Sequence, residues 1–205
     1  MKLENKVYKL NWGFNHSGDS EKDAFHIPFK NNMEFSADMM SVREFELPER
    51  LYLQANFRII ENIDYPLTDL NIQIISKRIL DIINELGGIK HRQVPITMID
   101  DTFLDELFDK QGELKPNVPT NNDFVGIQLM EYTDVFDYDK SEYEEDFILP
   151  VGHISKLILK KPKYGFPPIF KLKECSSEVF ISEQTYNRMK NENIRGFDFE
   201  EIEVS

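Results

Sequence analysis

Side chains able to do chemistry are densest between residues 134 and 146, where Asp134, Asp137, Asp139, Glu142, Glu144, Glu145 and Asp146 are interleaved with Phe136, Tyr138 and Tyr143. Asp137, Asp139 and Ser141 fall at positions 1, 3 and 5 of an EF-hand calcium loop. The rest of that loop fails: the sharp turn at position 6 requires Gly and meets Glu142, and the bidentate acid at position 12 is replaced by Ile148. Neighbouring carboxylates can also work as a general acid and base, but only in a buried or apolar setting that drives their pKa values apart. A run this charged favours solvation instead. A third chemistry is recognition, in which aromatic rings supply anchoring area and carboxylates steer a basic partner. The candidate contact set is then Asp134, Asp137, Tyr138, Asp139, Glu142, Tyr143, Glu144, Glu145 and Asp146. Against it stands a solvated loop whose aromatics turn inward to the core.

Other reactive groups are sparse. The histidines, His16, His26, His91 and His153, have no helical or knuckle spacing that would hold zinc. Cys175 lies in Glu174-Cys175-Ser176-Ser177, with no flanking residues that would activate its thiol, and reads as structural. The sequence contains no phosphate-binding loop, dinucleotide fingerprint, nucleophile elbow or His-Glu-x-x-His. No catalytic residue, metal ligand or cofactor site is assigned.

The 205 residues carry 24 Lys plus Arg against 37 Asp plus Glu, a formal net charge of −13. That balance argues against nucleic acid or an anionic membrane as partner and favours a cationic one. Residues 100–146 alone hold 15 acidic and 3 basic side chains, whereas residues 154–195 hold nine Lys or Arg against four Glu. The molecule is therefore electrically lopsided. One cysteine, no apolar run of signal-peptide length and no stretch approaching the ~20 apolar residues of a membrane helix point to a reducing, cytoplasmic setting.

The elements that would position these groups follow from periodicity. Residues 7–60 read as short strands and turns, with Val7, Tyr8, Leu10 and Trp12 first, a polar turn at 16–20, and alternation at Leu51, Leu53, Ala55 and Phe57. Ile72, Ile74 and Ile75 predict a strand, Ser76 a helix cap, and Ile79, Leu80, Ile82, Ile83 and Leu86 a helix. Gly87-Gly88 ends that helix, and 94–99 resumes as a strand. The order returns with Val179-Phe180-Ile181, Ser182 as cap, a helix over 184–191, Gly196 and a strand over 197–204. This reads either as two copies of one device or as the general grammar of α/β units. Between them the pattern predicts a short helix over 102–110 with Phe103, Leu104, Leu107 and Phe108 facing the core, a long strand over 124–135, and strands near 154–160 and 169–172. The fold class is α+β: a mixed sheet with a few short helices and two strand-helix-strand units. Pro116 and Pro119 among amide-rich neighbours suggest a linker between lobes at 1–115 and 120–205, unless the chain is one compact domain.

Within the C-terminal part, Ile169-Phe170-Lys171-Leu172, Val179-Phe180-Ile181-Ser182-Glu183 and Asn193-Ile194-Arg195-Gly196-Phe197-Asp198-Phe199 resemble the ending of bacterial polymorphic-toxin immunity proteins of the numbered families eleven and forty-three. Asp137-Tyr138-Asp139-Lys140-Ser141 resembles a segment that precedes that ending, and the likeness extends from about Leu70 onward. It implies a cytoplasmic, non-enzymatic protein that binds a cognate toxin and blocks it. The acidic run would face a basic toxin cleft by imitating the charge of its substrate. The rival readings are a small metal-dependent enzyme built on the carboxylates of 134–146 and a non-catalytic adaptor.

Overall fold

The computed structural model describes residues 6–13, 22–28, 41–70, 72–145 and 151–205. In chain order the elements are β1 (Val7–Trp12), β2 (Ala24–His26), β3 (Leu51–Ala55), α1 (Phe57–Ile60), β4 (Gln73–Ser76), α2 (Lys77–Glu85), β5 (His91–Asp100), β6 (Thr120–Leu129), β7 (Glu142–Tyr143), β8 (Ile154–Lys156), β9 (Ile158–Leu159), β10 (Ile169–Phe170), β11 (Phe180–Ser182), α3 (Glu183–Asn191) and β12 (Phe197–Val204). One sheet has the order β10-β11-β1-β12-β9 and another β2-β3-β5-β6-β4, while β7 and β8 form a small ribbon. The chain is mixed α+β, as the periodicity predicts.

Both strand-helix-strand units are present, and they share a topology that local sequence does not disclose. In β4-α2-β5 the two strands flank β6, each antiparallel to it. In β11-α3-β12 they flank β1 in the same way. The registers correspond: Ser76 lies opposite Phe124, which lies opposite Ile96, and Ser182 lies opposite Val7, which lies opposite Ile202. Each serine takes up extended backbone and accepts a hydrogen bond from the amide three residues on, Ile79 at 3.4 Å and Thr185 at 3.3 Å. Such a cap satisfies one of the donors that a helix start leaves open.

The two helices stop differently. After α2, Gly87 and Gly88 adopt φ of 119° and 68°, and the Gly88 amide reaches the Ile83 carbonyl at 2.9 Å. After α3 the left-handed residue is Asn193, with φ of 53°. Gly196 has another role. A Cβ there would lie 2.8 Å from the Tyr65 carbonyl oxygen and 2.9 Å from Ile63, so its φ of 102° brings β12 against the 63–65 segment.

Ile79, Leu80, Ile82 and Ile83 of α2 pack with Tyr8, Ile75, Val125, Ile181 and Met189 in a core shared by both units. Each such aliphatic side chain removed from water stabilises the fold by about 1.5–3 kcal/mol. Separate clusters close the outer faces, one around Leu53, Ile72, Ile96 and Phe124, the other around Val7, Phe136, Leu159, Phe170 and Phe180. Asp64 adds a polar tie: its carboxylate accepts from the Ser76 hydroxyl at 2.7 Å, from Arg78 at 3.3 Å and from the Arg195 amide at 3.1 Å.

Several expected boundaries are corrected. Residues 102–110 form turns instead of a helix, because Asp100 accepts from the Thr102 amide and Asp109 from the amides of Gln111 and Glu113. These local side-chain bonds compete with the helix ladder. Leu104 is 94% exposed and Phe103 and Leu107 half-buried, so the expected core face does not form; Phe108 turns edge-on to Tyr52 at 5.3 Å. The long strand covers Thr120–Leu129 and not 124–135: pairing of Thr120 with Ile99 extends its start, and at Thr133 the amide has turned to the Lys171 carbonyl. Phe57 begins α1 because Asn56 caps it, and the 154–160 strand is split into β8 and β9. The turn expected at 16–20 lies outside the described residues.

Candidate partner-binding surface

The acidic run is not one solvated loop. Its first half is pinned to the C-terminal sheet by Phe136, which bridges to Leu159 and sits in the core with Val135, Phe170 and Phe180. Phe136 meets Tyr138 edge-on at 4.7 Å and Tyr143 at 5.6 Å, and those two tyrosines meet at 6.0 Å. Offset or edge-to-face rings of this kind add to the stabilisation from burial. The loop from 137 to 141 is therefore stapled at both ends by aromatic side chains.

Asp137 sits at the centre of the staple and is only 3% exposed. Its carboxylate accepts a hydrogen bond from the Ser205 hydroxyl at 2.8 Å and one from the Asp139 amide at 3.2 Å, and Lys160 lies 3.8 Å away. Burial alone would raise its pKa. The two hydrogen bonds and the charges of Lys160 and Lys140 outweigh burial and hold the carboxyl below the usual carboxylate value. The loop backbone is tied down as well, because the Ser141 hydroxyl donates to the Ile158 carbonyl and accepts from the Ile158 amide at 3.0 Å. This places Asp137 beneath the surface.

The groups that face water lie around it. Asp134, Tyr138, Asp139, Glu142, Glu144 and Glu145 are exposed, and Tyr143 is half-buried; Asp146 lies outside the described residues. Among the described residues Asp134, Glu142, Glu144 and Glu145 form no ion pair, while nearby Lys156 is held by Glu203 at 3.0 Å. The Tyr138 hydroxyl donates to Glu174, and this bond, reinforced by partial burial, pushes its pKa up to about 12. The phenol is thus a fixed, protonated group at neutral pH.

The free carboxylates are exposed rather than enclosed, and among the described residues no three His, Cys, Asp or Glu side chains come together in a way that could hold a metal ion. Cys175 is half-buried, and burial with the charges of Glu178 and Glu174 raises its pKa to about 12, which keeps the thiol protonated. No helix among the described residues is long and apolar enough to cross a membrane. The sequence pattern located the acidic run but not the division within it. Alternation of Val135 and Phe136 with Asp137 gave no signal that one carboxylate would be buried.

The model of the immunity protein family Imm11 matches residues 116–204. The match is shorter than the likeness from Leu70 onward drawn from the sequence, and it takes in β6 through β12, α3 and the whole aromatic and acidic segment. No curated protein matches the chain.

Proposed function

We propose that this chain is an immunity protein that binds a cognate bacterial toxin domain and neutralises it by stoichiometric contact, without catalysis. The observation that carries the reading is the immunity-family match over 116–204, which takes in exposed carboxylates, several of them without an ion pair among the described residues, mounted on an aromatic staple. Asp134, Tyr138, Asp139, Glu142, Tyr143, Glu144 and Glu145 form the contact face, with Asp137 holding it from behind. Rigid anchors reduce the ordering cost of association, and a net negative face raises the rate at which a basic cleft is met. The client is accordingly a basic protein domain met in the cytoplasm, not nucleic acid or membrane.

The test starts from a tagged chain co-expressed with candidate toxin domains, and complexes are washed with chelator and then with rising salt. The expected result is one basic protein retained at equal stoichiometry and indifferent to chelator. A variant carrying Asp139→Asn, Glu142→Gln, Glu144→Gln and Glu145→Gln should associate about tenfold more slowly, with a flatter salt dependence. Unchanged kinetics in that variant, with its fold intact, would remove the acidic face from the interface.

A further inference from the structure

β5 and β6 do not pair regularly along their whole length. Ile96 opposes Phe124 and Met98 opposes Asn121, so two steps on β5 answer three on β6, and the extra residue makes a β-bulge. Bulges re-aim side chains and are over-represented beside functional sites. Asn122 lies within this bulge, and its side-chain oxygen accepts from the Thr97 hydroxyl at 2.6 Å. Arg50, which precedes β3, donates through one guanidinium nitrogen to both Thr97, at 2.6 Å, and Asn122, at 3.1 Å. Two neutral acceptors thus fix the orientation of a cation without neutralising it.

This cluster borders an open groove of about 450 Å³, whose lining includes Arg50, Lys77, Gln93 and Asn122 with Pro95 and Phe124. No acidic residue is among the described residues that line it, and neither Arg50 nor Lys77 forms an ion pair among the described residues. Glu61, Asp64, Asp81 and Asp123, with Arg78, line the adjoining depression, which shares Lys77 and Phe124. In a chain of net charge −13, this concave surface, lined by two cations, two amides and an apolar floor and by no acid, departs from the prevailing charge.

We infer that the groove between the β5–β6 bulge and the start of α2 binds a small anionic molecule, its carboxylate or phosphate group held by Arg50 and Lys77 and its apolar body resting on Pro95 and Phe124. Ligand sites have this make-up, an apolar floor with a few placed polar groups. The site lies apart from the acidic face and does not depend on it.

The experiment is an amide NMR titration of the full chain with phenyl phosphate and with benzoate, at about 0.15 M salt to screen diffuse attraction. Saturable shifts at Lys77, Gln93, Thr97 and Asn122, at a Kd of about 1 mM or tighter, are expected. Preference for one probe assigns the anion as phosphate or carboxylate. Arg50→Gln should weaken binding at least about fivefold, and Lys77→Gln, at an exposed position, should do the same if the first variant does not fold; Lys90→Gln should leave it unchanged. Shifts spread over many surface lysines, no saturation with either probe, or equal binding by folded Arg50→Gln or Lys77→Gln protein would overturn the assignment.

Discussion

The Asp137 carboxylate and the Ser205 hydroxyl, 68 residues apart in sequence, meet at 2.8 Å beneath the acidic face. Because Asp137 is held below the usual carboxylate pKa, its ionised form is worth more to the folded chain than to the unfolded one. That contribution is complete above the ordinary carboxylate pKa and is lost as pH falls through the lowered folded value. Asp137→Asn should therefore be less stable than the parent at pH 7, and the gap should narrow below about pH 4. Urea midpoints at neutral and acidic pH check this, and a gap that stays constant would separate the loss from titration.

Lys171 gives a dependence of the same sign in a more alkaline window. It is 1% exposed, and burial lowers its pKa to about 8. Between that value and its ordinary one the unfolded chain binds a proton that the folded chain does not, so stability rises with pH. Its contribution to the thermal midpoint should climb from about pH 8 to pH 10, against Cys175 and Tyr138, whose raised pKa values lower stability over the same window. Lys171→Met should flatten the climb.

Gly196→Ala should lower stability by about 3 kcal/mol or more, since it combines a positive φ with a backbone contact at 2.8 Å. Gly87→Ala is the control. It also has positive φ but nothing within 4 Å of the new Cβ, and should cost about 1 kcal/mol. Chemical denaturation of the two variants compares strain alone with strain plus clash.

The two capping serines should not be equivalent. Ser182→Ala removes a cap and should cost about 1 kcal/mol. Ser76→Ala also takes the 2.7 Å hydroxyl donor from buried Asp64, and should cost about 2–3 kcal/mol. Equal melting temperatures would refute the role given to Asp64.

These serines mark what the sequence makes legible. A capped helix is a local device, and Ser76, Ser182 and Gly87-Gly88 announce it within a dozen residues. Partner strands are not local: no pattern near Val7 says that it lies between Ser182 and Ile202. The helix expected over 102–110 failed where Asp100 and Asp109 found nearer amides than the helix offered. At the candidate surface, composition revealed the acids and rings, but the burial of Asp137 depends on Ser205 and Lys160, which arrive from elsewhere in the chain.

The loop before β6 offers a test of domain structure. Strand pairing crosses it in both directions, β5 with β6 and β1 with β11 and β12. We propose one compact domain. Chain cut between residues 115 and 120 should run as a single native-sized particle, and 120–205 expressed alone should not unfold cooperatively. Separate folded fragments on size-exclusion chromatography would favour two lobes.

The position of β1 also sets a timetable. Its backbone partners lie at residues 180–182 and 197–202, so a ribosome producing about 5–20 residues per second needs roughly 10–40 s between making β1 and making the last of its neighbours. Until residues 180–182 are made, Val7, Tyr8 and Leu10 have neither flanking strand, and a chaperone that engages unpaired apolar segments would find them waiting through most of that interval.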